Sequence, residues 1–595
     1  MAEFEQIEGR FDYIIIGSGS AGSVLARRLS EDGSSRILIL EAGTDKGSIF
    51  VDMPSALSIP MNTRRYNWGL KTEPEPHLGN RIMNLPRGKG VGGSSLINGM
   101  CYVRGNPLDY ERWAFLGASG WNWSNVLPYF KRAETVRDDP GEHRGTAGPL
   151  NISAPQGRNP LFPTFLEAGR DAGYAISANM NDAQHEGFSP MEMTVSDGIR
   201  WSAARAYLKP SLKTGRVRVM TGALVEKILI ENGRAKGVLF ERGGKSYQAN
   251  ADREVILSAG SIMSPTILKR SGIGPGEELR QHGIDVRMES CGVGANLMDH
   301  LELYIQQECT QSVSLYKWMN ALGKAYIGGS WLLTRKGLGA TNHFEAGAHI
   351  RSKAGIGYPD IQFHFLPLAI SYDGSSMAQS EGFQVHVGTK RSKSRGNVSL
   401  RSSSARDMPK VVFNYMSHAD DWADMRRCVE YTREVFAQPS FDPFRGRELK
   451  PGSSTSADDE LNEFIRANVE SAYHPCGTCR MGSDEMAVTG PDCKVHGVDA
   501  LRVIDASIMP QATAGDLNGP TIMLAEKAAD IIRGHASLTD PDAPIPIDAK
   551  WRDRQRSRSV DKDISHDPKE IEAIMQAEPP VRMSHEQTDM EVAGA

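Results

Sequence analysis

Cysteine is scarce in this sequence, charge is nearly balanced, and long apolar runs are missing. Seven of 595 residues are cysteine (Cys101, Cys291, Cys309, Cys428, Cys476, Cys479 and Cys493), an odd and irregularly spaced set that excludes the framework of a secreted disulfide scaffold and predicts a reducing compartment. No stretch approaches the ~18 apolar residues of a membrane span. The opening residues, MAEFEQIEGRFDY, have neither the cationic segment nor the apolar run of a signal peptide. The expectation is a cytoplasmic protein without a transmembrane segment, with peripheral contact on the inner face of the membrane left open. Lys plus Arg is 68 against 73 for Asp plus Glu, a net charge of −5, so there is no basic footprint for nucleic acid. A small-molecule substrate is expected. An apolar content of 39% excludes wholesale disorder, and the length predicts more than one lobe.

Glycine, in contrast, is abundant at 60 residues and clusters in GSGSAG near residue 17, PRGKGVGGSS near 86, SGIGPG near 271 and CGVGAN near 291. Backbone that must approach a large ligand has reason to be glycine, although tight turns account for any single cluster equally well. Strand-like runs at Tyr13–Ile16, Ile37–Leu40, Val217–Met220, Val255–Leu257 and Leu501–Ile504, some followed by helix-like patterns, give α/β character. Between about 311 and 464 the alternation in YPDIQFHFLPL and FQVHVGTKRSKSRGNVSLRS predicts a second lobe built on a sheet. After about 537 the chain turns to Asp, Pro, Arg and Glu with little apolar periodicity, which predicts a mobile tail.

Phe11 to Gly22 reads FDYIIIGSGSAG, an apolar strand running into Gly17, Gly19 and Gly22 at GxGxxG spacing and followed by helix-like SVLARRLSE. In such a unit one glycine makes the turn, one admits pyrophosphate to the backbone, and one lets the helix pack on the strand, leaving phosphate at the helix N-terminus. A second strand, ILILEAG, ends in Glu41, 22 residues past Gly19, where a carboxylate can accept the hydroxyls of an adenosine ribose and would repel a 2′-phosphate. FAD or NAD is therefore expected over NADP.

The segments GKGVGGSSLINGMCYVRGNPLDYE (Gly88–Glu111) and GSIMSPTILKRSGIG (Gly260–Gly274) resemble the two signature regions of the glucose–methanol–choline (GMC) family of flavoprotein oxidoreductases. SAYHPCGTCRMG (Ser471–Gly482) and LRVIDASIMPQATAGDLNGPTIMLAEKAADII (Leu501–Ile532) extend the resemblance over roughly residues 10–535. Within the family the wording of RRYNWGLKTEPEPH, FEAGAHIRS, FHFLPLAI and FNYMSHADDW is most similar to that of bacterial choline dehydrogenases.

The resemblance implies a Rossmann-like FAD-binding lobe assembled from discontinuous segments, with an inserted substrate lobe carrying a mostly antiparallel sheet. Residues 1–155, 215–310 and 465–537 are then the three parts of the FAD lobe, 156–214 and 311–464 the substrate lobe, and 538–595 the tail. It places pyrophosphate on Gly17, Gly19 and Gly22, ribose on Glu41, adenine near Val225, and the isoalloxazine beside Gly92, Gly93, Ser94 and Asn98. Asp505, Ala506, Pro520 and Thr521 supply late contacts on the flavin side. Some members attach FAD through a histidine in the first signature. That position here is Ile97, so non-covalent FAD is expected.

Oxidising an alcohol requires a base at the hydroxyl and a hydride acceptor at the carbon. By resemblance His474 is the acid/base and Asn518 its hydrogen-bonding partner at the substrate oxygen. His474, Cys476, Cys479 and Cys493 also suggest zinc, but the family builds its redox site from this loop without metal, so no metal is expected. A quaternary ammonium would want aromatic faces and a carboxylate; the second lobe offers Trp331, Phe344, Phe363, Phe365, Tyr372, Asp373 and Glu345, with Glu345 the preferred cation partner. The implied activity is oxidation of a primary alcohol, foremost choline to betaine aldehyde and onward to glycine betaine. Another alcohol is the alternative, and a hydroxynitrile lyase without net redox is the alternative of a different class. Electrons pass to an external acceptor, oxygen, quinone or another, and neither that acceptor nor the oligomeric state is legible.

Overall fold

The computed structural model describes residues 4–137, 141–182, 184–370, 380–556, 564–578 and 581. Two sheets organise it. The first runs Val217–Thr221, Ile37–Glu41, Phe11–Ile16 and Lys245–Leu257, with every adjacent pair parallel, and Leu501–Val503 adds in parallel on Lys245–Leu257. Each strand-like run read from the sequence falls within one of these strands or overlaps it. Ile14, Ile15, Ile37, Leu38, Ile39, Val255, Ile256 and Leu257 are fully buried, as expected where helices cover both faces of a parallel sheet and the strands become continuous apolar runs. Helix Ser20–Ser30 packs on helix Asn518–Arg533, which joins the first and last contributions to this lobe. The lobe is therefore discontinuous in sequence. The first half of Lys245–Leu257 turns the sheet into an antiparallel meander with Arg234–Arg242 and Ala223–Glu231.

The second sheet is antiparallel, in the order Arg445–Lys450, Leu301–Cys309, Gly382–Thr389, Ile361–Leu366, Ala346–Ile350 and Gly187–Pro190. Period-two alternation sorts its side chains. Phe363 and Phe365 enter the core, where Phe365 stacks on Phe165 at 4.7 Å between centroids. His364, between them, faces the other way, into a cavity between the two sheets. Helices Leu161–Asp171 and Ala419–Phe436 cover the aromatic face.

The tail differs from its expectation. Ile547, Trp551, Ile574 and Met575 are buried against Leu108 and Tyr358, and Arg112 donates to the Met575 carbonyl at 2.8 Å. The fully buried Arg351 pairs with Asp548 at 2.6 Å. The described part of 538–595 is thus packed on the body. Its anchors are apolar residues spaced singly along a polar segment, which leave no periodic stripe to read. Among the described residues no helix is long and apolar enough to cross a membrane.

Candidate active site

The turn after Phe11–Ile16 shows why glycine is required there. Gly17 has φ +98°, and a Cβ on it would stand 2.4 Å from the Ser258 carbonyl oxygen. A Cβ on Gly93 would stand 2.6 Å from the Gly19 Cα, so the two glycine loops meet at van der Waals distance along one wall. Helix Ser20–Ser30 begins at Gly19 with no side chain capping its N-terminus, leaving backbone N–H groups available for an anion such as pyrophosphate. From here the cavity extends past Glu41, Ala42 and Val225 at one end and past Ser94, Asn98, Asp505, Ala506 and Thr521 toward His474 at the other. A narrow slot of glycine backbone, an uncapped helix and a buried carboxylate fit a dinucleotide.

Glu41 ends its strand buried, its Oε2 accepting from Ser18 N and Oγ (3.1 and 2.7 Å) and its Oε1 from Gly43 N and Gly90 N (2.8 and 3.1 Å). Burial raises its carboxyl above the ordinary range despite these donors. Asp505 is raised by burial as well, and it ties the start of helix Gly260–Arg270 to the last strand through Gly260 N at 2.8 Å and Ser264 Oγ at 2.6 Å.

Trp68, Cys101, Glu302, Tyr304, Phe344, His364, His386, Tyr473, His474, Asp516 and Asn518 line the other end of the cavity. His474 is held from three sides. Its backbone N donates to Asp299 Oδ1 at 2.7 Å, its Nδ1 lies 3.0 Å from His300 Nδ1, and its Nε2 lies 3.2 Å from Asp516 Oδ1. The preceding Tyr473 has φ +65°, a strained conformation for a bulky residue of the kind found where function fixes the backbone. Burial alone would push the Asp516 carboxyl up, but hydrogen bonds and charge from His364 and His474 hold it well below the usual carboxylate range. Burial pulls His300 well below the usual imidazole value, so it is neutral at pH 7. Asn518 Oδ1 accepts from Ser20 Oγ at 2.7 Å, which leaves the Nδ2 amide as a donor toward the cavity.

Glu302 is the second carboxylate at this end, with Oε1 3.3 Å from His386 Nδ1. Burial would raise it, but His386 and Lys390 more than offset this and hold it below the ordinary value. It is an anion at neutral pH, and Tyr304, Phe344 and Tyr473 line the same end of the cavity, Tyr304 and Phe344 against the His386 ring at 4.1 and 5.3 Å between centroids.

Several expected residues stand elsewhere. Glu345 does not line the cavity: its oxygens accept from Gly157 N and Thr341 Oγ1, both at 2.6 Å, so this carboxylate is spent on tying two loops. Trp331 is buried away from the cavity, donates to the Gly198 carbonyl at 2.6 Å and carries Arg335 on its face at 3.9 Å. Phe344 does reach the cavity, edge-on to His386 at 5.3 Å. Phe363 and Phe365 are core, and Tyr372 and Asp373 lie outside the described residues. Gly22, Gly92 and Pro520 stand behind the wall; a Cβ on Gly22 would lie 2.1 Å from the Gly17 carbonyl oxygen, so its part is helix-to-strand packing. Among the described residues no group of three His, Cys, Asp or Glu could hold a metal ion.

Residues 11–302 match the N-terminal GMC oxidoreductase family profile and residues 392–525 match its C-terminal profile. The chain belongs to the GMC oxidoreductases. Oxygen-dependent choline dehydrogenase of Brucella anthropi is 54% identical over 543 residues, covering 91% of this chain and 99% of that protein. The protein of that name from Rhizobium etli is 54% identical over 529 residues, covering 89% and 96%. Among solved structures, pyridoxine 4-oxidase from Mesorbium loti superposes with a TM-score of 0.81 at 30% identity, covering 89% of this chain and all of that one. A formate oxidase superposes with a TM-score of 0.84 at 25% identity, covering 90% and 99%. This GMC oxidoreductase is an FAD-dependent alcohol oxidoreductase, and the glycine-walled slot is the place in the fold that suits FAD.

Proposed function

We propose that this enzyme oxidises the primary alcohol of choline to betaine aldehyde. The observation that carries the reading is the pairing, at one end of the cavity, of the buried Glu302 anion and the aromatic lining with His474 and Asn518. A quaternary ammonium has no N–H to donate, so its recognition rests on charge and on aromatic faces, with cation–π contact adding about 2 kcal/mol where water is excluded. The 54% identity to proteins named oxygen-dependent choline dehydrogenase supports the same substrate.

The His474 imidazole is the base, held between His300 at Nδ1 and Asp516 at Nε2. As the imidazole takes the hydroxyl proton, the Asp516 carboxylate beside it stabilises the imidazolium that forms. The Asn518 Nδ2 donates to the substrate oxygen as negative charge grows there. Bound FAD supplies the acceptor for the hydride equivalent leaving the carbon. Ile97 offers flavin no nucleophile, so FAD is held without a covalent link. The aldehyde hydrate presents the same H–C–O–H unit to His474 and is the substrate for onward oxidation to glycine betaine. The relatives' name supports dioxygen as the electron acceptor.

The test is steady-state kinetics with choline and its uncharged isostere 3,3-dimethylbutanol. A clear preference for choline, expressed mainly in KM because the ammonium is remote from the reacting carbon, is expected. Equal use of the two compounds would reject choline while leaving alcohol oxidation intact.

A further inference from the structure

Helix Ala321–Thr334 is amphipathic in the wrong direction for a water-soluble surface. Its inward side is anchored by the buried Trp331 and by Gly323, whereas Leu322, Ala325, Tyr326, Gly329, Leu332 and Leu333 recur at helical spacing on the outside. Leu322 is 85% exposed, Tyr326 63% and Leu333 88%. A contiguous apolar stripe of this kind marks an interaction surface, unlike single exposed leucines. Its charge is equally biased: residues 309–344 contain Lys317, Lys324, Arg335 and Lys336 and no Asp or Glu, in a chain whose net charge is −5. Trp318 stacks on Tyr326 at 5.4 Å between centroids, with the Lys317 ammonium 5.8 Å from the Trp318 ring.

We infer that this helix docks the enzyme on an anionic lipid bilayer, its leucines in the acyl boundary and its lysines among the headgroups. Apolar stripe, aromatic pair and flanking cations are the combination that holds a helix in the interfacial plane. At 14 residues the helix is about 21 Å long, too short for a ~30 Å hydrocarbon core, so it lies on the membrane and does not span it. A second copy of this chain is the poorer occupant. The stripe offers roughly 200 Å², from helix dimensions, against ~800 Å² per partner in a standard interface, and a two-fold axis through it would bring the cations of both copies together. The helix also has a route to the active site. The turn Gly337–Ala340 packs on both the helix and Pro54–Ala56, beside exposed Ile49, Phe50 and Ile59, and Leu57 and Met61 of that stretch line the cavity.

The test is co-sedimentation of the FAD-loaded enzyme with phosphatidylcholine vesicles, with and without phosphatidylglycerol, read by flavin absorbance. The enzyme is expected to partition onto the phosphatidylglycerol vesicles. The double variant Leu322→Ser, Leu333→Ser should lose about a hundredfold in partitioning, from two leucine side chains no longer buried, with FAD content and soluble activity unchanged. The double variant Lys317→Gln, Lys336→Gln should lose about tenfold or more on anionic vesicles and nothing on neutral ones. The proposal is overturned if the unmodified enzyme stays in the supernatant, if the serine variant binds as well as its parent, or if sedimentation velocity reveals a dimer that the serine variant dissociates.

Discussion

Replacing Glu302 by Gln keeps the side-chain volume and removes the charge assigned to the substrate cation. The carboxylate is buried and ionised, with His386 at 3.3 Å. A trimethylammonium nitrogen ~5 Å from it gains about 3 kcal/mol at an effective dielectric of about 20. The ammonium gives up part of its hydration and shares the carboxylate with His386, so about 2 kcal/mol is the net to expect, or roughly thirtyfold in kcat/KM. The assay compares choline with 3,3-dimethylbutanol on both proteins. Choline should fall about thirtyfold on the variant, chiefly through KM, while the isostere changes little. Because the Glu302 carboxyl is held below its ordinary value, near 4.3, it stays ionised from about pH 8 down to about pH 5, and the ratio of the two substrates should be flat across that window even as both rates change. Undiminished choline preference in the variant, or a ratio that collapses between pH 7 and 5, would refute Glu302 as the cation partner.

His474→Ala should slow flavin reduction by about a hundredfold to ten-thousandfold, the usual cost of losing a positioned acid/base, with FAD content unchanged; loss of FAD or of soluble protein would point to a structural histidine instead. Asn518→Ala should cost about tenfold, the worth of one hydrogen bond to a charged atom. Acid precipitation should release intact FAD into the supernatant, and yellow colour left in the washed pellet would contradict the reading of Ile97. Truncation after residue 537 should lower Tm, since it exposes Leu108 and Tyr358 and takes Asp548 from the buried Arg351; an unchanged Tm would show that these contacts carry no stability.

What could be read from the sequence was whatever is local in it. The glycine turn, the strand before it and the helix after it are contiguous, and their spacing carries the geometry. Both sheets were legible because a parallel strand covered on two faces becomes an apolar run and an antiparallel one alternates. The same alternation separates Phe363 and Phe365 from His364, but it does not say which face is core. The aromatics therefore read as ligands, and nothing in the sequence marks His364, which reaches the cavity. Glu345 had an apolar setting suited to a buried anion, yet its partners, Gly157 and Thr341, came to it through tertiary structure. Asp516 stands inside a recognised segment, two residues before Asn518, and its signal is that proximity, because loop geometry carries near neighbours into the same cavity. Glu302 stands in a strand outside every motif read from the sequence, and it reaches the cavity only through the fold. The packing of the tail is not legible in the sequence, since its few anchors sit among polar residues and find their pockets more than a hundred residues away.

The measurement that bears most directly on the enzyme as a choline oxidoreductase is anaerobic addition of choline to the purified, FAD-loaded protein while its visible spectrum is followed. With oxygen excluded, electrons taken from the alcohol have nowhere to go beyond the flavin. The visible flavin absorbance should bleach on mixing and return when air is admitted, with betaine aldehyde recovered in proportion to the flavin reduced. A flavin that keeps its oxidised spectrum in saturating choline, with His474 and Asn518 intact, would contradict the account.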